Sequence, residues 1–175
     1  REKLPIASIT KLMTALVFLD TKPDWNEEVT MVKEDEVEGS RINVEVGDII
    51  KVRDLFYSAL VGSANNAIMA LVHSTGEGQN EFVRKMNEKA KLLGLKDSQF
   101  KNSHGMPADE QYTTTMDMAI LAQRYIGDHP EALVYHSTTE FEYNKIRQGN
   151  RNTLLQKNIG VDGLKTGHIE ESGYH

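Results

Sequence analysis

The chain has 175 residues, 39% of them apolar and 26% charged, with a formal net charge of -6, which is the size and composition of a single globular domain, residues 1–175, able to bury a core. The acidic balance excludes the broad attraction that phosphate backbones or anionic lipid surfaces require, so no nucleic acid is expected as a partner. With no cysteine, disulfide frameworks, thiol nucleophiles and cysteine-ligated zinc are excluded.

From Ser8 onward Ile9, Leu12, Met13, Leu16 and Val17 recur at helical spacing, so Ser8 is expected at the first turn of a helix that Lys22-Pro23-Asp24 closes. Val29 to Val52 holds short β-like runs broken by turns at Glu38-Gly39-Ser40 and Val46-Gly47-Asp48, an irregular hairpin region. Helical patterns follow at about Arg53 to Val61, Ala64 to His73 and Glu81 to Leu93, with Gly94 as a stop. After a polar, turn-rich stretch from Asn102 to Thr115, Met116 to Ile126 reads as another helix with threonines to cap it, ended by Asp128-His129-Pro130. The last part offers a β-like Thr138 to Tyr143, a polar loop at Gln148 to Asn152, and a turn then a strand over Gly160 to Ile169. No stretch approaches the roughly 18 uninterrupted apolar residues of a membrane span. Because the chain starts at Arg1, a targeting segment or membrane anchor outside it stays open.

Ser8-Ile9-Thr10-Lys11 sets a hydroxyl and an amine one helical turn apart, so the lysine can take the serine proton, and the free amides of a helix start can stabilise an oxyanion. A Ser-x-x-Lys is expected about once by chance in a chain of this length. A second one exists: Ser98-Gln99-Phe100-Lys101, without helical periodicity, is read as a decoy. Ser63-Ala64-Asn65, between two helical patterns, offers a second hydroxyl for proton transfer and an amide for a peptide group. Lys165-Thr166-Gly167, on the expected terminal strand, supplies a cation and hydroxyl for a carboxylate and a glycine that permits close backbone approach. The six histidines show no HExxH spacing, and no metal is expected.

Ser-x-x-Lys, a Ser-x-Asn element and Lys-Thr-Gly in that order resemble the penicillin-recognising serine enzymes. The surrounding words, Pro5 to Ala15, Gly62 to Ala67, His104-Gly105-Met106 with Gln111 to Thr114, Arg151-Asn152 and Val161 to His168, are similar to the low-molecular-mass penicillin-binding proteins, serine D-alanyl-D-alanine carboxypeptidases. The resemblance implies an α/β (α+β), β-lactamase/transpeptidase-like fold, with an antiparallel sheet, flanking helices and a mainly helical lobe. It implies that Ser8 is the nucleophile, Lys11 its general base and Ser63 the relay of a proton to the leaving amine. Asn65 would bind the substrate amide, Lys165 and Thr166 the terminal carboxylate, and the backbone amides of Ser8 and His168 the oxyanion, beside Gly167. Lys11 is expected to be neutral for part of the cycle, its pKa depressed by desolvation or by a nearby cation such as Lys165, which is expected to stay charged to bind a carboxylate. The substrate implied is a peptidoglycan stem peptide ending in D-Ala-D-Ala, the covalent inhibitors are β-lactams, no cofactor is implied, and the location is extracytoplasmic in a bacterium.

The chain starts seven residues before Ser8 and stops eight after Gly167, so the sheet is expected to be incomplete at both ends. Three rival readings remain. A D,D-endopeptidase shares the same motifs, although Ile146 to Asn152 looks more like the carboxypeptidase branch. A class A β-lactamase needs a water-activating glutamate, for which only Glu140, in a β-like run close before Lys165, is on offer. A non-catalytic scaffold of the same fold would have no need of Ser8 and Lys11.

Overall fold

The structure is a computed structural model that describes residues 2–157, 159–170 and 173–174. The outermost residues of the expected domain, Arg1 and His175, lie outside the described residues. A 3-10 turn, Ala7–Ile9, runs directly into α1 (Thr10–Asp20). Every residue of α1 from Thr10 to Leu19 is buried, and a helix apolar on all sides belongs in the middle of a core rather than on its surface. Helix α3 (Asn65–Ser74), α4 (Gln79–Leu93) and α5 (Thr115–Asp128) all pack against it. Lys11 is therefore carried on a helix at the centre of the core, and Ser8 on the turn that leads into it.

The outer helices follow simple rules. In α4, Phe82, Met86 and Ala90 are buried at intervals of four, one stripe of an otherwise polar helix. Gly94 ends it in the left-handed region, φ 77°, where a glycine avoids the Cβ clash. Thr114 caps α5 by accepting the Asp117 amide, as expected. Helix α2 (Val52–Leu60) joins α3 through a tight corner at residues 61–64.

Three antiparallel pairs complete the fold, with no larger sheet among the described residues. Strand β1 (Glu28–Thr30) pairs with β2 (Ile49–Lys51), Val29 facing Ile50, the two buried members of an otherwise exposed pair. The long connection between them is stapled to α3 by Asn66, whose side chain accepts from the Ile42 amide and donates to its carbonyl, both at 3.0 Å.

Two expectations near the end are corrected. The polar stretch from Gln148 is half strand: β3 (Glu140–Tyr143) turns at Asn144-Lys145, both with positive φ, and returns as β4 (Ile146–Gly149). Its outer face is ionic, Arg147 reaching Glu140 and Glu142, so the apolar alternation that marks a half-buried strand is missing. As expected, Asp128-His129-Pro130 ends α5, and a separate 3-10 turn and the short α6 (Leu133–Ser137) follow. Lys165-Thr166-Gly167 also precedes the assigned strand: β5 (His168–Ile169) alone pairs with β6 (Gly173–Tyr174). The tripeptide instead lies against the Ala7–Ile9 turn, where it has a packing surface but no hydrogen-bonded strand beside it among the described residues.

Candidate active site

The turn that carries Ser8 is pressed between two glycines. A Cβ on Gly105, φ 88°, would overlap the Ala7 carbonyl, and one on Gly167 would stand 3.3 Å from the Ser8 nitrogen. Ala7 itself is bent to φ 36°. Gly105 is thus required by close backbone approach and Gly167 packs tightly on the same turn, so that together they frame the serine at the mouth of a cleft.

Lys11 follows one turn later and is 0% exposed. Its Nζ lies 2.7 Å from Asn65 Oδ1, 2.6 Å from the His104 carbonyl and 3.0 Å from Ser8 Oγ. Burial first, and the Lys165 charge second, hold its pKa well below the usual lysine range. A neutral amine has two N–H groups and one lone pair. The amide and carbonyl oxygens can only accept, so they take both hydrogens and leave the lone pair facing the Ser8 hydroxyl. In that neutral form the two obligate acceptors fix the direction of the third bond, from serine to lysine, whereas a protonated Lys11 donates to all three.

Asn65 is oriented by the same logic, its Oδ1 on Lys11 and its Nδ2 donating to the Glu38 carbonyl at 2.6 Å. It is buried behind the cleft wall, with one amide hydrogen left over. The corner before it puts Ser63 in the left-handed region, φ 62°, a conformation costing an L-residue about 1–2 kcal/mol and frequent at functional positions.

Lys165 is buried, with Nζ 2.9 Å from the Thr166 carbonyl. Burial and then the Arg151 charge lower its pKa to about 7. Lys165 therefore holds its proton less firmly than an exposed lysine, and a bound carboxylate would favour the protonated form.

Ser8, Ser63, Thr166, Gly167 and His168 share one cleft of about 630 Å³ with Ser40, residues 151–154 and Tyr174. Lys11, Asn65 and Lys165 stand behind its wall. His168 stacks its ring on Tyr174 with centroids 4.2 Å apart. Residues that the sequence did not assign are the His104 carbonyl, Ser40 and the charge of Arg151. Backbone carbonyls leave no signature in a side-chain motif, although His104-Gly105 and Arg151-Asn152 had marked the segments.

The decoy is elsewhere. Ser98 Oγ bonds Thr113 Oγ1 at 2.7 Å and Asp117 Oδ2 at 2.8 Å, while Lys101 Nζ pairs with Glu110 at 2.8 Å. Glu140 is also outside the cleft, its side chain 51% exposed and 3.3 Å from Arg147. Among the described residues no three His, Asp or Glu side chains converge as a metal centre.

The sequence profile of the D-alanyl-D-alanine carboxypeptidase family matches residues 1–175. The chain belongs to that family. It is 38% identical to a D-alanyl-D-alanine carboxypeptidase of Escherichia coli, DacC, over 99% of this chain and 46% of the relative, so it spans about half the length of the curated relatives it matches. Penicillin-binding protein 5 of Haemophilus influenzae superposes with a TM-score of 0.93 at 34% identity, covering 99% of this chain and 53% of that one. Penicillin-binding protein D2 of Listeria monocytogenes, in its cefotaxime-bound form, superposes at 0.87 with 32% identity, over 99% of this chain and 73% of that one. The carboxypeptidase family and the penicillin-binding fold are those expected from the motifs.

Proposed function

We propose that residues 1–175 form part of one catalytic domain of a serine D-alanyl-D-alanine carboxypeptidase, which removes the terminal D-Ala from peptidoglycan stem peptides through an acyl-enzyme on Ser8. The observation that carries this reading is the buried Lys11 amine with two obligate acceptors and one serine hydroxyl around it. Ser8 Oγ attacks the carbonyl of the penultimate D-Ala as its proton passes to the Lys11 lone pair. The oxyanion is met by the backbone amides of Ser8 and His168, a role supported by the close packing of Gly167 on the turn that carries Ser8. As the tetrahedral adduct collapses, the C–N bond breaks and Ser63 relays a proton to the leaving D-Ala amine; water then hydrolyses the ester and Ser8 regains its proton.

In this reading Lys165 and Thr166 hold the terminal carboxylate, whose charge keeps Lys165 protonated, with Arg151 adding to the positive field. Asn65 positions Lys11 and offers its spare amide hydrogen to a substrate carbonyl. β-Lactams are taken as covalent inhibitors that acylate Ser8, a role supported by the cefotaxime-bound neighbour. The scheme calls on no cofactor. The substrate places the reaction outside the cytoplasm of a bacterium; among the described residues no helix is long and apolar enough to cross a membrane, and any anchor would lie in another segment.

The experiment is D-Ala release from a diacyl D-Ala-D-Ala peptide measured beside penicillin turnover, on the full-length protein. The expected result is D-Ala release, a penicilloyl-enzyme that decays much more slowly, and little change of either in Glu140→Gln. Rapid penicillin turnover lost in Glu140→Gln, with no D-Ala release by the parent, would replace this reading with a β-lactamase.

A further inference from the structure

Behind Lys165 lies a buried polar pair that the scheme above does not use. We propose that Tyr125 and His136 form a positioning element that fixes the backbone before Lys165 and so sets the reach of its ammonium toward a substrate carboxylate. The inference rests on the carboxypeptidase reading for the identity of that carboxylate.

Both side chains are 0% exposed. The rings meet edge to face, 5.3 Å apart, with His136 Nε2 2.9 Å from the Tyr125 hydroxyl. Burial pushes the Tyr125 pKa far up, so the phenol keeps its hydrogen and must place it. Nε2 is the acceptor in reach, which leaves the imidazole proton on Nδ1. The reverse tautomer would bury an unplaced phenol hydrogen and a bare Nδ1 lone pair together, at the cost of two unsatisfied groups.

Nδ1 has no well-formed hydrogen bond among the described residues. The Leu164 backbone borders the imidazole and favours its protonated form. The Gly163 backbone packs on the same residue, since a Cβ there would stand 3.3 Å from His136 Cβ. From the other side, Asn152 Nδ2 donates to the Gly163 carbonyl at 3.0 Å and Asn150 Nδ2 to the His136 carbonyl at 3.1 Å. Residues 163 and 164 are thus gripped from two sides immediately before Lys165. Burial and then the Lys165 charge lower the His136 pKa to about 4, so the imidazole sits beside the ammonium without repelling it. A phenylalanine pair would fill this space without desolvating two polar groups. The buried Nδ1 without a hydrogen-bond partner distinguishes the pair from an ordinary satisfied core histidine.

The test has two arms on the full-length protein. Nitrogen NMR of the His136 ring is expected to show a proton on Nδ1, with the Nε2 resonance moving in Tyr125→Phe; a proton on Nε2 instead overturns the proposal whatever the enzyme's activity. The second arm compares acylation by a penicillin and by its methyl ester, which lacks the carboxylate. His136→Phe should slow acylation by the penicillin about 10-fold, the scale of one displaced charge-assisted hydrogen bond, and leave the slow reaction of the ester unchanged. The double variant Tyr125→Phe with His136→Asn, which restores an N–H near the Nδ1 position and removes the orphaned phenol, should recover most of the loss. Equal loss with both compounds, or no loss with either, overturns the positioning role. A parent protein acylated by neither compound speaks against the carboxypeptidase reading, and the tautomer still decides the geometry.

Discussion

Two Ser-x-x-Lys tetrads occur in this chain, and they differ in everything except spacing. Ser8 lies in the turn that leads into the deeply buried α1 and Lys11 in its first turn, where the lysine amine meets the serine hydroxyl at 3.0 Å. Ser98 and Lys101 lie in an irregular segment, where the serine turns inward to Asp117 and the lysine outward to Glu110. A lysine becomes a base when helical register holds it over the hydroxyl and burial makes its charge expensive. Neither condition is visible in the four letters alone; the apolar period after Ser8 is what carries them.

The contrast breaks most sharply at the two lysines. Lys11→Arg keeps the charge but cannot deprotonate, so Ser8 acylation by penicillin should fall about 10²–10⁴-fold, the usual share of a general base. Lys101→Arg should leave the rate unchanged. Stopped-flow acylation kinetics measure both, and equal losses would erase the distinction between the tetrads.

A smaller effect is expected from pH. Acylation needs Lys11 neutral, so kcat/KM rises with pH through its lowered pKa. It needs Lys165 charged, so kcat/KM falls as pH passes the Lys165 value of about 7 in the free enzyme. Because the Lys165 charge is the second cause of the Lys11 shift, Lys165→Gln should move the acidic limb to higher pH and remove the alkaline limb. A profile that keeps both limbs in place would show that the two lysines do not titrate against each other.

The smallest effect belongs to the decoy. Ser98→Ala removes the hydroxyl held by Thr113 and Asp117 and should cost about 1 kcal/mol of stability with no change in acylation. Denaturant unfolding beside the labelling assay separates the two, and slowed acylation at unchanged stability would make the decoy functional.

The helices were legible because their apolar periods and stops are local: Phe82, Met86 and Ala90 with Gly94, or Thr114 before α5. The β3–β4 hairpin was half hidden because its outer face is charged and its Asn144-Lys145 turn lacks glycine. Within the site, side chains that act through their own functional groups could be named from motifs. The His104 carbonyl on Lys11 could not, since a backbone acceptor depends on how a loop is folded, here by Asn102 accepting the Gly105 amide and Thr14 holding the Ser103 carbonyl. Nor could the lowered pKa of Lys165, which follows from burial beside Arg151 in three dimensions.

The central claim is that Ser8, and not Ser98, is the nucleophile. Mass spectrometry of the full-length protein after penicillin treatment locates the adduct directly. The expected result is one penicilloyl group on the peptide containing Ser8, absent in Ser8→Ala and undiminished in Ser98→Ala. An adduct on Ser98, or labelling of Ser8→Ala at the parent level, would contradict the account.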